Sequence, residues 1–173
     1  TNDEAIIENM LFKYPVFVPK TSKTYSNAII LLHGLNEKSW FKYLPWAYYL
    51  AEQTNRPVIL FPISFHMNRC PESWANPRLM MPLLSNRQKF SGLDMSTVAN
   101  VSLSQRLSDE PLRFFTSGRQ SAEDIIRLLE SIKRGEHPFL AQNAKVDFFS
   151  YSIGAFLSQV MFISNPKDLL SDS

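Results

Sequence analysis

Residues 147–159 read DFFSYSIGAFLSQ, and the run changes character at Ser152 with no linker to absorb the change. Before it, residues 146–149 are apolar enough for a buried strand, and after it residues 153–163 form a largely apolar helical stretch closed by Pro166. A strand that turns into a helix over so few residues forces its central residue into a strained backbone conformation with positive φ. The positions two before and two after must be small, because the turn presses on neighbouring elements. In return, the central side chain stands clear at the edge of a sheet and at a helix N-terminus. This is the geometry usually written G-x-S-x-G, and here it reads Ser150-Tyr151-Ser152-Ile153-Gly154, with serine in place of the first glycine. The plainer reading of Ser152 is a helix N-cap, for which serine is among the preferred residues.

Working outward, two more stretches read as strands buried on both faces: Ala28 to Leu32 in NAIILLHG, and Val58 to Phe61 in RPVILFP. Both are continuous apolar runs rather than alternating ones. Between them, SWFKYLPWAYYLAEQTN carries Pro45 near a helix start, and Trp46, Ala47, Leu50 and Ala51 at helical spacing. In SAEDIIRLLESIKRG, Ser121 and Asp124 resemble a capping box, and Ile125, Leu128, Leu129 and Ile132 line one face. The N-terminal stretch LFKYPVFVPK, with Pro15 and Pro19, suits an edge strand only. Residues 64–118 break the pattern, with one expected helix over 96–107, and read as an insertion of the kind that forms lids or binding loops. The order strand, helix, strand, insertion, helix, strand, helix predicts an α/β fold with right-handed crossovers, the strands 28–32, 58–61 and 146–149 lying parallel. Ligands of such sheets bind beyond the carboxyl ends of the strands, and Gly34 and Gly154 fall just past two of them.

These residues resemble the N-terminal portion of an α/β-hydrolase-fold protein, an uncharacterised bacterial one. AIILLHGLNEKSW resembles the first strand and oxyanion loop, SAEDIIRLLESI the helix before the elbow, and VDFFSYSIGAFLSQ the elbow with its helix. The resemblance covers residues 27–63 and 119–163 and implies a three-layer sandwich around a parallel sheet, with strand 28–32 between the other two. It also implies a serine hydrolase acting on an ester, thioester or amide. In it, Ser152 is the nucleophile that forms a covalent acyl-enzyme. The N–H groups of Leu35 and Ile153 form the oxyanion hole, and His33, Gly34 and Gly154 hold the two loops in shape.

The triad of that fold runs serine, acid, histidine. After Ser152 the only acids are Asp168 and Asp172, there is no histidine, and Asp168 follows the elbow helix too closely to end a further strand. The chain therefore reads as a single partial domain over 1–173, cut after the elbow helix, with the acid and histidine of the triad outside it. The competing reading is a catalytically silent hydrolase-like domain used for binding or assembly. A cut there makes 146–149 an edge strand, which calls for a missing C-terminal part or a second chain to cover it.

His66 follows strand 58–61 and so can face the same edge of the sheet, either as a substrate-binding residue or as an ordinary loop histidine bonded to a carbonyl. His137 belongs to the opposite edge. Arg69, Arg78, Arg87 and Arg106 could read an acidic substrate or simply be solvated. The aromatic run WFKYLPWAYY suits core packing better than a ligand grip. Three dispersed histidines and one cysteine give no metal-ligand spacing, and glycine-rich phosphate loops are absent, so no metal or other cofactor is expected. A net charge of +2 without a basic stripe argues against nucleic acid. No apolar run is long enough for a membrane span; the partner that the hydrolase resemblance implies is a small-molecule or acyl substrate. Cys70, alone, favours a reducing compartment such as the cytoplasm, whereas a chain opening Thr1-Asn2 leaves room for a removed leader.

Overall fold

A computed structural model describes residues 5–171; Thr1, Asn2 and Asp172 lie outside them. Strand β1 is Val16–Phe17, β2 Tyr25–Leu32, β3 Val58–Phe61 and β4 Leu140–Ser150. The helices are α1 Ile7–Met10, α2 Leu44–Thr54, α3 Pro77–Arg87, α4 Val98–Asp109, α5 Arg113–Lys133 and α6 Ile153–Ser164.

The four strands form one open sheet in the order β1-β3-β2-β4. β2 pairs in parallel with β3 on one side and β4 on the other, so Leu32, Phe61 and Ser150 come level at the carboxyl end. The sheet is mixed rather than wholly parallel, because β1 runs antiparallel to β3. β1 is two residues long and sits at the outer edge, the place to which Pro15 and Pro19 confine it. β4 forms the other edge, so the 146–149 segment is an edge strand as expected.

Helices cover both faces. The residues Ala28, Ile30 and Leu32 of β2 pack with Ile125, Leu129 and Ile132 of α5 and Leu157 and Met161 of α6. The alternate residues Ile29 and Leu31 pack with Tyr43, Ala47 and Ala51 at α2. A central strand that serves two cores has no polar side to show, which is why its sequence runs apolar without alternation.

Two expectations need correcting, the start of α5 and the single helix of 64–118, while a third is met with a shift of two residues. α5 begins at Arg113, two turns before the Ser121 that resembled its cap. Ser121 instead lies inside the helix, where its hydroxyl donates to the Ser117 carbonyl at 2.7 Å and accepts the Ser64 N–H at 2.9 Å. The helix expected over 96–107 runs from Val98 to Asp109, with Thr97 and Asn100 forming a reciprocal capping box. The 64–118 segment also holds a second helix, α3, which carries Pro82 within it.

Arg69 is neither a substrate reader nor a solvated side chain. It is fully buried and donates to Asn9 Oδ1, to the carbonyls of Asn9 and Pro62, and to Asp124 at 2.6 Å. A guanidinium out of water needs this many acceptors, and by taking them Arg69 pins the N-terminal segment and the end of β3 to α5. Among the described residues, no helix is long and apolar enough to cross a membrane.

Candidate active site

β4 ends at Ser150, Tyr151 and Ser152 make the corner, and α6 begins at Ile153. Ser152 has φ 56° and ψ −118°, a conformation that a residue with a Cβ adopts only under constraint. The constraints are visible on both sides. The Tyr151 N–H continues the sheet by donating to the Leu32 carbonyl at 3.0 Å, and the Gly154 N–H donates to the His33 carbonyl at 3.2 Å. A Cβ on Gly154 would lie 2.6 Å from Leu32 Cβ and 2.8 Å from the His33 oxygen, so no other residue fits without movement. Ser150, in place of the pattern's first glycine, has its hydroxyl buried without a partner among the described residues.

The N-cap reading of Ser152 does not hold. Its side chain makes no capping hydrogen bond to α6, and the residue is exposed. Ser152 thus stands at a constrained corner with a side chain that does not satisfy the helix.

The loop after β2 comes to the same place. Gly34 lies against Tyr151, whose ring would be 3.1 Å from an added Cβ. The Gly34 N–H donates to the Tyr43 hydroxyl at 2.8 Å, and that hydroxyl donates onward to Glu37 at 2.9 Å. His33 is fully buried. Its Nδ1 donates to the Gly34 carbonyl at 2.8 Å, and its Nε2 accepts the Ile63 N–H at 2.9 Å, which ties the loop to the end of β3. With both ring nitrogens occupied and the ring out of water, the His33 pKa falls to about 3, burial being the main cause and the nearby His66 the second. His33 is a neutral brace.

Asn36, in the left-handed region at φ 59°, accepts from Arg106 at 2.6 Å and donates to the Ala99 carbonyl at 3.3 Å. The 64–118 segment thus packs on the carboxyl edge of the sheet and holds this loop from outside, so Arg106 is a structural tie rather than a free cation.

Leu35 and Ile153, next in chain after Gly34 and Ser152, border one cavity of about 540 Å3, shared with Ile63, His66, Phe114 and Phe156. Among the described residues, no backbone or side-chain group accepts the N–H of either Leu35 or Ile153. One of these unaccepted N–H groups belongs to the loop after β2 and the other to the first residue of α6, directly after the exposed Ser152.

His66 is 8% exposed and its ring lies 5.3 Å from that of His33, so β3 does deliver it to this edge of the sheet. Its Nδ1 donates to the Ser64 carbonyl at 2.9 Å, while its Nε2 is enclosed with no partner. Burial lowers its pKa to about 4, leaving it neutral at ordinary pH. It thus has the carbonyl bond of a loop histidine together with a place on the cavity wall. His137 lies at the far end of the sheet: it precedes β4, whose eleven residues span roughly 35 Å at about 3.3 Å each.

Tyr43 as the support of Gly34 was hidden in the sequence, because a tyrosine inside an aromatic run reads as packing. Phe114 and Phe156 as cavity walls were equally hidden, the first because its segment read as irregular. Among the described residues, no group of histidine, cysteine, aspartate and glutamate could hold a metal ion.

One family model matches the chain over residues 1–173, that of a family of unknown function (DUF6051). No curated protein and no solved structure matches it.

Proposed function

We propose, for a chain that belongs to the DUF6051 family of unknown function, the activity of a serine hydrolase of α/β-hydrolase type. Its substrate is an ester, thioester or amide. The single observation that carries this reading is the backbone of Ser152, held at φ 56° and ψ −118° with a side chain that caps nothing. Strain of this kind costs about 1–3 kcal/mol and persists where surrounding structure imposes it for use.

In the mechanism, Ser152 Oγ attacks the acyl carbon and its proton passes to a base. The carbonyl oxygen becomes an oxyanion held by the N–H groups of Leu35 and Ile153. The leaving alcohol, thiol or amine takes a proton, which leaves an ester on Ser152 that water then cleaves. His33, Gly34 and Gly154 keep the two donor loops in register.

The base is not among the described histidines. His33 has both nitrogens engaged. His66 is oriented by a carbonyl rather than a carboxylate, and its Nε2 is enclosed. The acid and histidine of a triad would therefore come from beyond this chain. The second reading, a silent hydrolase-like domain that binds or assembles, draws on the same observation.

Treating the intact natural protein with a fluorophosphonate probe and mapping the label distinguishes the two. Labelling at Ser152, lost in Ser152→Ala, is the expected result; no label on a folded protein favours the silent domain. The 173-residue chain alone is expected to turn over p-nitrophenyl esters no faster than its Ser152→Ala variant. Turnover that depends on Ser152 would instead make His66 the base.

A further inference from the structure

α5 contains a glycine for which neither its backbone nor its packing gives a reason. Gly118 lies in the interior of the helix, with φ outside the positive range that favours glycine. A Cβ built on it would meet nothing within 4 Å. Glycine is among the poorest helix formers, so the position carries a cost without a local return. Gly118 borders the same cavity as Leu35 and Ile153. What the missing side chain leaves is room in that cavity.

The rest of the lining says what the room suits. Ile63, Phe114, Phe115, Phe156, Leu157 and Val160 make its walls. Most polar side-chain groups on it are already engaged, the exception being His66 Nε2, which is enclosed without a partner among the described residues. Ser117 donates to the Ser64 carbonyl at 2.9 Å, His66 Nδ1 donates to that same carbonyl, and Arg119 pairs with Glu123 at 3.0 Å. His66 is also neutral, because burial opposes its charge. Arg106, in the adjoining recess, is spent on Ser102, Phe65 and Asn36. At about 540 Å3 the cavity is of small-molecule size. Leu35 and Ile153, whose N–H groups have no acceptor among the described residues, also belong to its lining.

We propose that this cavity takes an uncharged, unbranched hydrocarbon chain, the acyl chain of the substrate, and that Gly118 sets how long a chain it admits. The word acyl rests on the hydrolase reading; the chain site itself does not. Chain and carbonyl are then placed together: the hydrocarbon lies along α5 and α6, and the carbonyl reaches the Leu35 and Ile153 donors.

Primary alcohols test the site without any reacting group. Binding of butanol, hexanol, octanol, decanol and dodecanol to the intact protein is measured by calorimetry, beside Gly118→Ala and Gly118→Leu. Affinity is expected to rise roughly tenfold for each two methylenes buried, then level off when the cavity is full. Gly118→Leu should level off at a shorter alcohol while melting no lower than the natural protein, since leucine favours a helix. Gly118→Ala, the milder change, should weaken the longest alcohols only. Affinity that does not vary with length overturns the chain site. An unchanged profile in a folded Gly118→Leu, or in Gly118→Ala should the leucine variant not fold, overturns the role of Gly118. Fluorophosphonate labelling separates this inference from the hydrolase reading. Labelled Ser152 without alcohol binding sinks the chain site alone, and alcohol binding without label sinks the hydrolase alone.

Discussion

Gly154 donates its N–H to the His33 carbonyl across 3.2 Å, and the oxygen that accepts it would be 2.8 Å from any Cβ placed on Gly154. One backbone contact thus joins the corner after β4 to the loop after β2, and it exists only because the residue has no side chain. Gly154→Ala should cost about 1–3 kcal/mol, since rigid backbone and Leu32 must both move. Gly34→Ala should cost about 1 kcal/mol or less, because the nearest atoms belong to the Tyr151 ring, which is exposed and can turn. Urea denaturation of the two variants side by side gives the comparison; equal losses would contradict it.

Ser152→Gly should make the protein more stable, by about 1 kcal/mol, while removing fluorophosphonate labelling. Glycine accepts φ 56° and ψ −118° without the penalty that serine bears. Thermal melting read beside labelling shows whether stability and activity move in opposite directions. A Ser152→Gly variant less stable than the natural protein would mean that the hydroxyl has a structural partner.

Tyr43→Phe removes the hydroxyl that accepts from Gly34 and donates to Glu37. The Gly34 N–H is then left unsatisfied in a buried place, at a cost of about 1–3 kcal/mol. If the loop carries an oxyanion donor, labelling of Ser152 should also slow, by about tenfold or more. A loss of stability with an unchanged labelling rate would confine Tyr43 to packing.

Acid should destabilise the protein from just below neutrality. Burial holds the pKa of His33 at about 3 and that of His66 at about 4, against an ordinary 6.5. Both stay neutral in the folded state while the unfolded chain takes up protons as pH falls below 6.5, so the unfolded state is favoured there. Their contribution is complete above 6.5 and declines towards pH 4, with a slope approaching about 2.7 kcal/mol per pH unit for two protons. His66→Gln should roughly halve that slope over the same interval, as read from urea midpoints at a series of pH values. An unaltered slope would show that His66 is protonated in the folded protein.

What the sequence revealed of the fold, and what it concealed, follows from where each residue spends its polarity. β2 and β3 were legible because strands with both faces covered have no polar positions. The elbow was legible because Gly154 and Ser152 lie at fixed offsets from the end of a strand. The first half of β4 was not: residues 141–145 are the polar run AQNAK, with most of it at the surface of the sheet's edge. α3 was hidden by Pro82, a residue that normally argues against a helix. The start of α5 was misplaced because Ser121 and Asp124 have the spacing of a cap while serving other partners. Ser121 holds Ser64 and Ser117, and Asp124 holds Arg69. The cavity was out of reach, since Leu35, Gly118 and Phe156 are brought together only by the packing of three separate elements.

The place of β2 in the sheet also sets a timetable for synthesis. Its partner β3 follows within some thirty residues, but the partner on its other side, β4, begins more than a hundred residues after β2. At ribosomal speed that interval is roughly ten seconds. Throughout it, the apolar strand Ala28 to Leu32 has one open margin beside a nascent chain. A chaperone that binds short apolar extended segments is expected to raise the soluble yield by covering that margin until residue 150 emerges. Slowing translation between the two strands should therefore reduce the soluble yield more than slowing it after α6.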